Sequence, residues 1–303
     1  MTAEEKHRGI VVPMISPVTA EGELDEKGVR QVVDHLAEGG VAGFMVLGTN
    51  GEGPSFSVPQ RQRMVAVAVQ QAGGRVRVYV GIGGTCVSES IAFGRDALER
   101  GADGLVAHLP PYSPLSPGEM VAFYRHLAER IDGSLFIYNM PPTTHMSIPI
   151  ESLEELSGHP RILGVKDSEN DIDRLKKVID TFRGRSDFAV FVGPAVLGAE
   201  VLAYGADGMV PSSGNLVPQL WRRLDTAARG GQAEEAHEIQ EKLNSVARAY
   251  QRGRTLGQGI AALKASMAAK GLCGPGVLPP LRPLDEEGQR GLREELVTLG
   301  VVV

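Results

Sequence analysis

The octapeptide ERGADGLV at residues 99–106 returns, partly altered, as AYGADGMV at residues 203–210. In both copies a glycine closes a helix-like segment and Ala-Asp-Gly then leads into an apolar run, as expected where a helix hands over to a buried strand. Outward from these joins the same alternation fills most of the chain. Apolar runs of strand length cover residues 9–15, 43–47, 76–82, 104–108, 134–138, 161–166, 188–192 and 207–210. Helical spacing covers residues 27–39, 58–72, 88–100, 117–130, 149–157, 170–182 and 195–205 between them. The strand runs are too continuously apolar to alternate, which is how parallel strands covered on both faces read. Such a βα series closes into a barrel or opens into a doubly wound sheet. Eight units in 303 residues favour a (β/α)₈ TIM barrel with something added.

The addition follows the eighth run. Residues 216–270 carry no strand pattern and read as helices, CGPGVLPPLRPL (273–284) reads as an extended surface segment, and a last helix is expected near 285–299. The soft boundary lies near residue 225, giving a barrel over residues 1–225 and a C-terminal helical extension over residues 226–303.

Composition narrows the partners. With 42% hydrophobic and 22% charged residues the chain can bury a core and stay soluble. A formal charge of -6 provides no basic field for nucleic acid, so a small molecule is the expected ligand. Cys86 and Cys273 stand too far apart in sequence for a disulfide framework or a CxxC metal pair, and a reduced, cytoplasmic setting is expected. The first residues lack the regions of a signal peptide, and no apolar run reaches the roughly 18 residues of a membrane span.

In a barrel of this kind chemistry sits just past the C-terminal ends of the strands. Lys166, in ILGVKDSE (162–169), ends the sixth run. A lysine in a barrel mouth can lose solvent and act as a neutral amine that attacks a ketone to form a Schiff base; the competing reading is a surface charge paired with Asp167 or Glu169. Tyr138 ends the neighbouring fifth run, where a phenol can shuttle protons, or can be a half-buried aromatic bonded to backbone. GTNGEG (48–53) can form a small nest of N–H groups for a carboxylate, or an ordinary tight turn. GIGGT (81–85) lacks dinucleotide-binding spacing and reads as close backbone packing at the rim. Loops seven and eight, GPA (193–195) and PSSGN (211–215), hold no Lys or Arg, which points to an uncharged or hydroxylated part of a ligand. The seven histidines show no HxH or HExxH spacing, so no metal is called for, and His108 and His145 read as local hydrogen-bonding residues.

Taken together, GTNGE, Tyr112 in PPYSP, YNMP (138–141) and GVKDSE resemble the dihydrodipicolinate synthase and N-acetylneuraminate lyase family of class I pyruvate-type aldolases and lyases, from about residue 9 to the C-terminus. The resemblance implies a (β/α)₈ barrel with a C-terminal helical extension, assembled as a tetramer of paired dimers. It makes Lys166 the imine-forming residue and Tyr138 the acid/base. Thr49 links Tyr138 to a Tyr112 donated by a neighbouring subunit. The backbone of Thr49 and Asn50 holds the carboxylate of a 2-oxo acid, and Gly193 and Val210 line its pocket.

Departures from the family shape the expected substrate. Dihydrodipicolinate synthases carry an arginine five residues after the strand-five tyrosine; here that residue is Thr143, a neutral hydroxyl that cannot pair a carboxylate. Sialic acid lyases place acids where this chain has Ala195 and Val196. Asn50 in the GTNGE motif and Ser168 in KDS look instead like 4-hydroxy-2-oxoglutarate aldolases and 2-keto-3-deoxy sugar acid aldolases. On that resemblance Asn50, Thr143, Ser168 and Ser212 read the far end of the substrate. The expected partners are pyruvate or another 2-oxo acid and an aldehyde, with no cofactor. Rival readings are a 2-keto-3-deoxy sugar acid dehydratase, a dihydrodipicolinate synthase, and a barrel that binds a 2-oxo acid without turnover.

Overall fold

The computed structural model describes residues 6–302. Eight parallel strands close into one barrel in chain order: β1 (Gly9–Pro13), β2 (Gly43–Val46), β3 (Arg77–Gly81), β4 (Gly104–His108), β5 (Leu135–Asn139), β6 (Ile162–Asp167), β7 (Ala189–Val192) and β8 (Gly208–Met209), with β8 pairing back to β1. The helices around it are α1 (Glu26–Glu38), α2 (Val58–Ala72), α3 (Val87–Glu99), α4 (Pro117–Arg130), the single turn α5 (Pro141–Thr144), α6 (Ile150–Leu156), α7 (Ile172–Thr181), α8 (Gly198–Tyr204) and α9 (Pro218–Arg229). The extension adds α10 (Ala233–Gln251), α11 (Leu256–Ala269) and α12 (Glu286–Thr298). Residue 225, where the sequence places the join, lies inside α9, the helix that follows β8.

The repeated Ala-Asp-Gly join proves to be one device used twice. Gly101 and Gly205 take positive φ angles of 98° and 120°, which end α3 and α8 at little steric cost. The N–H groups of Ala102 and Ala206 then bond back to the carbonyls of Ala97 and Val201. Asp103 accepts the backbone N–H of Val78 at 2.7 Å, and Asp207 accepts that of Val190 at 2.9 Å. Each aspartate thus secures the preceding strand at the barrel's closed end. Gly104 and Gly208 leave room inside the barrel for aromatic rings, Tyr79 and Phe136 beside the first and Phe191 beside the second.

Two apolar layers follow from the alternation along each strand. Inward-facing Val11, Met45, Tyr79, Val106, Phe136, Phe191 and Val210 fill the barrel, and outward-facing residues pack against the helices. Some elements differ locally from expectation. The helix expected over residues 195–205 begins as a separate 3₁₀ turn, Ala195–Leu197. The segment expected over 170–182 starts at Ile172, because the Asp171 side chain caps it by accepting from the N–H groups of Asp173 and Arg174. The Pro- and Gly-rich segment after α11 is extended, yet it does more than cover the surface: Leu278 is buried, and Pro280 and Leu281 line a cavity at the barrel mouth. Among the described residues no helix is long and apolar enough to cross a membrane.

At the opposite end His7 caps the aromatic stack, its Nδ1 2.6 Å from the Tyr79 hydroxyl and its ring edge-on to Phe136. Burial, helped by the charge of Arg77, pushes the His7 imidazole down from 6.5 to about 4. The unfolded chain therefore takes up this proton first, and stability falls as pH drops from about 6.5 toward 4. Between pH 7 and pH 5 the loss from this group is about 2 kcal/mol. Urea unfolding of wild type and His7→Gln at both pH values checks this: the variant should lack that increment of acid sensitivity.

Candidate active site

Residues 166 and 167 divide the work of β6 because neighbours on a strand face opposite ways. Lys166 points into the barrel, in register with Tyr138 on β5 and Phe191 on β7. With Val11, Met45, Tyr79, Val106, Phe136 and Val210 it lines a small internal cavity of about 20 Å³. The lysine is 6% exposed and its Nζ lies 3.9 Å from the centre of the Tyr138 ring, so it is no surface charge.

Asp167 faces out and is fully buried. Its Oδ2 accepts from Nε and an Nη of Arg174 on α7 at 3.1 and 3.0 Å, and its Oδ1 accepts from the Asn139 amide at 3.0 Å. Burial raises the Asp167 carboxyl despite the opposing pull of Arg174. Glu169 joins the same cluster through Arg174 at 3.1 Å and Ser147 at 2.6 Å. Both carboxylates that could have paired with Lys166 are committed behind the strand. The cluster ties the ends of β5 and β6 together and so sets Lys166 against Tyr138.

Tyr138 is 5% exposed, and its hydroxyl lies 3.4 Å from that of Thr49. Burial alone would raise the phenol, but the charge of Lys166 and hydrogen bonds with Thr49, Lys166 and Ser168 outweigh it and hold its pKa below the ordinary tyrosine value. A phenol made more acidic beside an amine is suited to passing a proton.

Thr49 sits in a loop under constraint. Leu47 and Glu52 both take left-handed φ angles, 57° and 53°. Among the described residues the backbone N–H groups of Thr49 and Asn50 bond to no protein acceptor, which leaves them available to an anion. Glu52 borders the mouth, and its carboxylate reaches into the extension. Its Oε1 is 2.6 Å from Nζ of Lys264 on α11, with both side chains almost fully buried, and its Oε2 accepts the Leu278 N–H at 2.7 Å. Burial lowers the Lys264 amine, with Glu52 opposing that shift.

Most remaining expected residues gather at the mouth in two adjoining cavities. One, of about 220 Å³, is lined by Thr49, Tyr138, Thr143 and His108. The other, of about 200 Å³, is lined by Asn50 and Ser212 together with Tyr250, Gln251 and Arg254 of the extension. Ile260 borders both. Ser168 seats against Gly193, where any Cβ would collide with its side chain. Gly83 likewise makes room for the His108 ring, in keeping with close packing at the rim. The His108 Nδ1 bonds to the Leu109 carbonyl at 2.7 Å, and burial lowers its pKa. Tyr112 stands apart, 90% exposed. Sequence reasoning did not single out Glu52, Lys264 or Arg254. Lys264 alone left a trace, a single charge inside the otherwise apolar GIAALKASMAA.

Eight parallel strands thus close around a buried lysine amine with a tyrosine hydroxyl and a threonine beside it at the barrel mouth. The model of the dihydrodipicolinate synthetase family matches residues 6–298, and the chain belongs to that family, whose members are class I lyases and aldolases. It is 28% identical to a 4-hydroxy-tetrahydrodipicolinate synthase of Methanosarcina barkeri, over 97% of this chain and 99% of that protein. Among solved structures, dihydrodipicolinate synthase from Bacteroides thetaiotaomicron superposes with a TM-score of 0.93 at 30% identity, over 97% of this chain and 99% of that one. A prophage protein of the same family from Escherichia coli K12, solved in complex with pyruvate, gives 0.91 at 29%, over 97% and 99%.

Removing one partner of a buried ion pair strands the other's charge. Lys264→Met should lower the unfolding free energy by about 3–5 kcal/mol, and adding Glu52→Gln should recover part of that loss. Denaturant unfolding of the single and double variants measures both.

Proposed function

We propose that the protein is a Schiff-base lyase that cleaves or forms the C3–C4 bond of a 4-hydroxy-2-oxo acid, with pyruvate as the enamine half. The observation that carries this reading is the buried Lys166 amine 3.9 Å from the Tyr138 ring, with the Thr49 hydroxyl 3.4 Å from the phenol. The pyruvate bound by the Escherichia coli neighbour supports the choice of enamine half.

In this scheme Lys166 gives a proton to the Tyr138 phenolate and attacks the C2 ketone as the neutral amine to form a carbinolamine, and Tyr138 returns that proton as water leaves. The resulting iminium is an electron sink. As a base takes the proton of the C4 hydroxyl, the C3–C4 bonding pair moves toward the iminium and releases an aldehyde. The enamine is then protonated at C3 and hydrolysed to pyruvate and free Lys166. The free N–H groups of Thr49 and Asn50 hold the C1 carboxylate, Gly193 and Val210 bound the keto acid, and Thr143 and Ser168 meet the substrate beyond C3.

Tyr112 completes the relay from a second subunit of a homotetramer; its 90% exposure within one chain supports a role outside its own barrel. Two other outcomes use the same imine. Loss of the C4 hydroxyl from the enamine would make the enzyme a dehydratase. Addition of pyruvate to an aldehyde bearing a carboxylate would make it a dihydrodipicolinate synthase, the activity in the name of the Methanosarcina relative. Thr143 in place of an arginine weighs against the latter.

Treatment of the purified protein with pyruvate and borohydride, followed by peptide mass analysis, should fix one adduct on Lys166; its absence would overturn the imine. Tyr138→Phe should still trap pyruvate yet lose roughly 10²–10⁴-fold in kcat for whichever 4-hydroxy-2-oxo acid releases pyruvate.

A further inference from the structure

The neutral loops seven and eight pointed to an uncharged tail on the ligand, but the extension supplies a cation that the barrel loops lack. Arg254, in the turn between α10 and α11, lines the cavity that also holds Asn50 and Ser212. One Nη donates to the Ala249 carbonyl at 3.0 Å, and among the described residues the guanidinium has no carboxylate within 4.0 Å. No acidic side chain lines the cavity. Its other polar groups are donors or can turn to donate. Ser212 Oγ and Tyr250 Oη are 2.7 Å apart, and the Gln251 amide donates to Ser212 at 3.3 Å. Burial pushes the Tyr250 phenol up to about 12, so it keeps its proton.

The cavity is continuous in residues with the reacting end. Asn50 follows Thr49, whose N–H belongs to the proposed carboxylate nest. Ser212 lies two residues past Val210, which lines the chamber of Lys166. Ile260 walls both mouth cavities. A chain held at C2 by Lys166 thus has a polar, positively charged recess beyond the rim. The hydroxyls and amides of the cavity can bond to a polyol or to a carboxylate alike, but only a carboxylate matches the Arg254 guanidinium in two bonds and offsets its charge.

We propose that Arg254, with Ser212 and Gln251, is a specificity site for a second carboxylate, so that the natural substrate is a 2-oxo diacid and not a sugar acid with an uncharged polyol tail. This rests on the imine reading above. The site would act on binding: it touches the end of the substrate remote from the breaking bond, so its loss raises KM more than it lowers kcat.

The test uses competition for Lys166, which requires no knowledge of the aldehyde. Wild type, Arg254→Gln and Arg254→Lys are trapped with labelled pyruvate and borohydride against rising 2-oxoglutarate or 2-oxoadipate, and against 2-oxopentanoate or 2-oxohexanoate, which match them in length without the second carboxylate. Wild type should be protected at lower concentrations by a diacid, and Arg254→Gln should weaken that protection about tenfold or more while leaving the monoacids unchanged. Arg254→Lys should fall between them. Undiminished trapping by pyruvate alone shows that each variant is folded and its lysine competent. Equal protection by diacids and monoacids in wild type, or equal loss of both in Arg254→Gln, overturns the diacid site and leaves the imine standing. If wild type traps no pyruvate, the imine reading fails and the diacid site fails with it.

Discussion

Glu52 and Lys264 meet 2.6 Å apart in a region neither side chain shares with water. Taking two charges out of solvent is costly, and their attraction offsets that cost only when the remaining lone pairs are also satisfied. The second Glu52 oxygen meets this condition through the Leu278 N–H. Three stretches that are remote in sequence are thereby locked together: the loop after β2, the middle of the extension's apolar α11, and the proline-rich strap. Thr49 stands three residues before Glu52, so the proposed anion nest inherits its position from that lock. The helical extension is part of how the mouth of the barrel is built.

A second anchor works from the other side. Asp167, Arg174, Asn139 and the half-buried Glu169 form a cluster behind β5 and β6, and because strand residues alternate, fixing Asp167 outward fixes Lys166 inward. The amine and the phenol are held by the ends of adjacent strands, whose register pairs them directly. The rim residues differ in kind. Asn50 and Ser168 sit on loops and Thr143 and Ser212 in short helical turns, where sequence can change without disturbing the strands, and in the proposed reading the same division separates the shared chemistry from the choice of substrate.

Much of this was legible in the sequence because it depends on local pattern. The two Ala-Asp-Gly joins carry their physics within a few residues: a glycine that tolerates positive φ, an aspartate that reaches a neighbouring N–H, and a glycine that yields space to an aromatic ring. The end-of-strand positions of Lys166 and Tyr138 follow from the same pattern once a barrel is assumed. Glu52 and Lys264 were not legible, since 212 positions separate them and nothing near either residue names its partner. Arg254 was not legible for a related reason: it is carried by the turn between α10 and α11 and not by a loop that follows a strand. The Leu278 strap read as a surface segment because its prolines and glycines mark the absence of regular structure, and they carry no sign of what the strap covers.

The long span between Glu52 and Lys264 also bears on how the protein is made. As the chain leaves the ribosome, β2 and its loop appear first, and more than two hundred residues must follow before the lysine emerges. The pairing of β1 with β8 is nearly as distant, so neither barrel closure nor the burial of Glu52 can come early. Until then the carboxylate is free to stay hydrated, which keeps the loop soluble and open. Assembly of the mouth is a late event in the life of each new chain, and an incomplete chain ending before α11 would carry Lys166 and Tyr138 without the support that holds the Thr49 loop against the phenol.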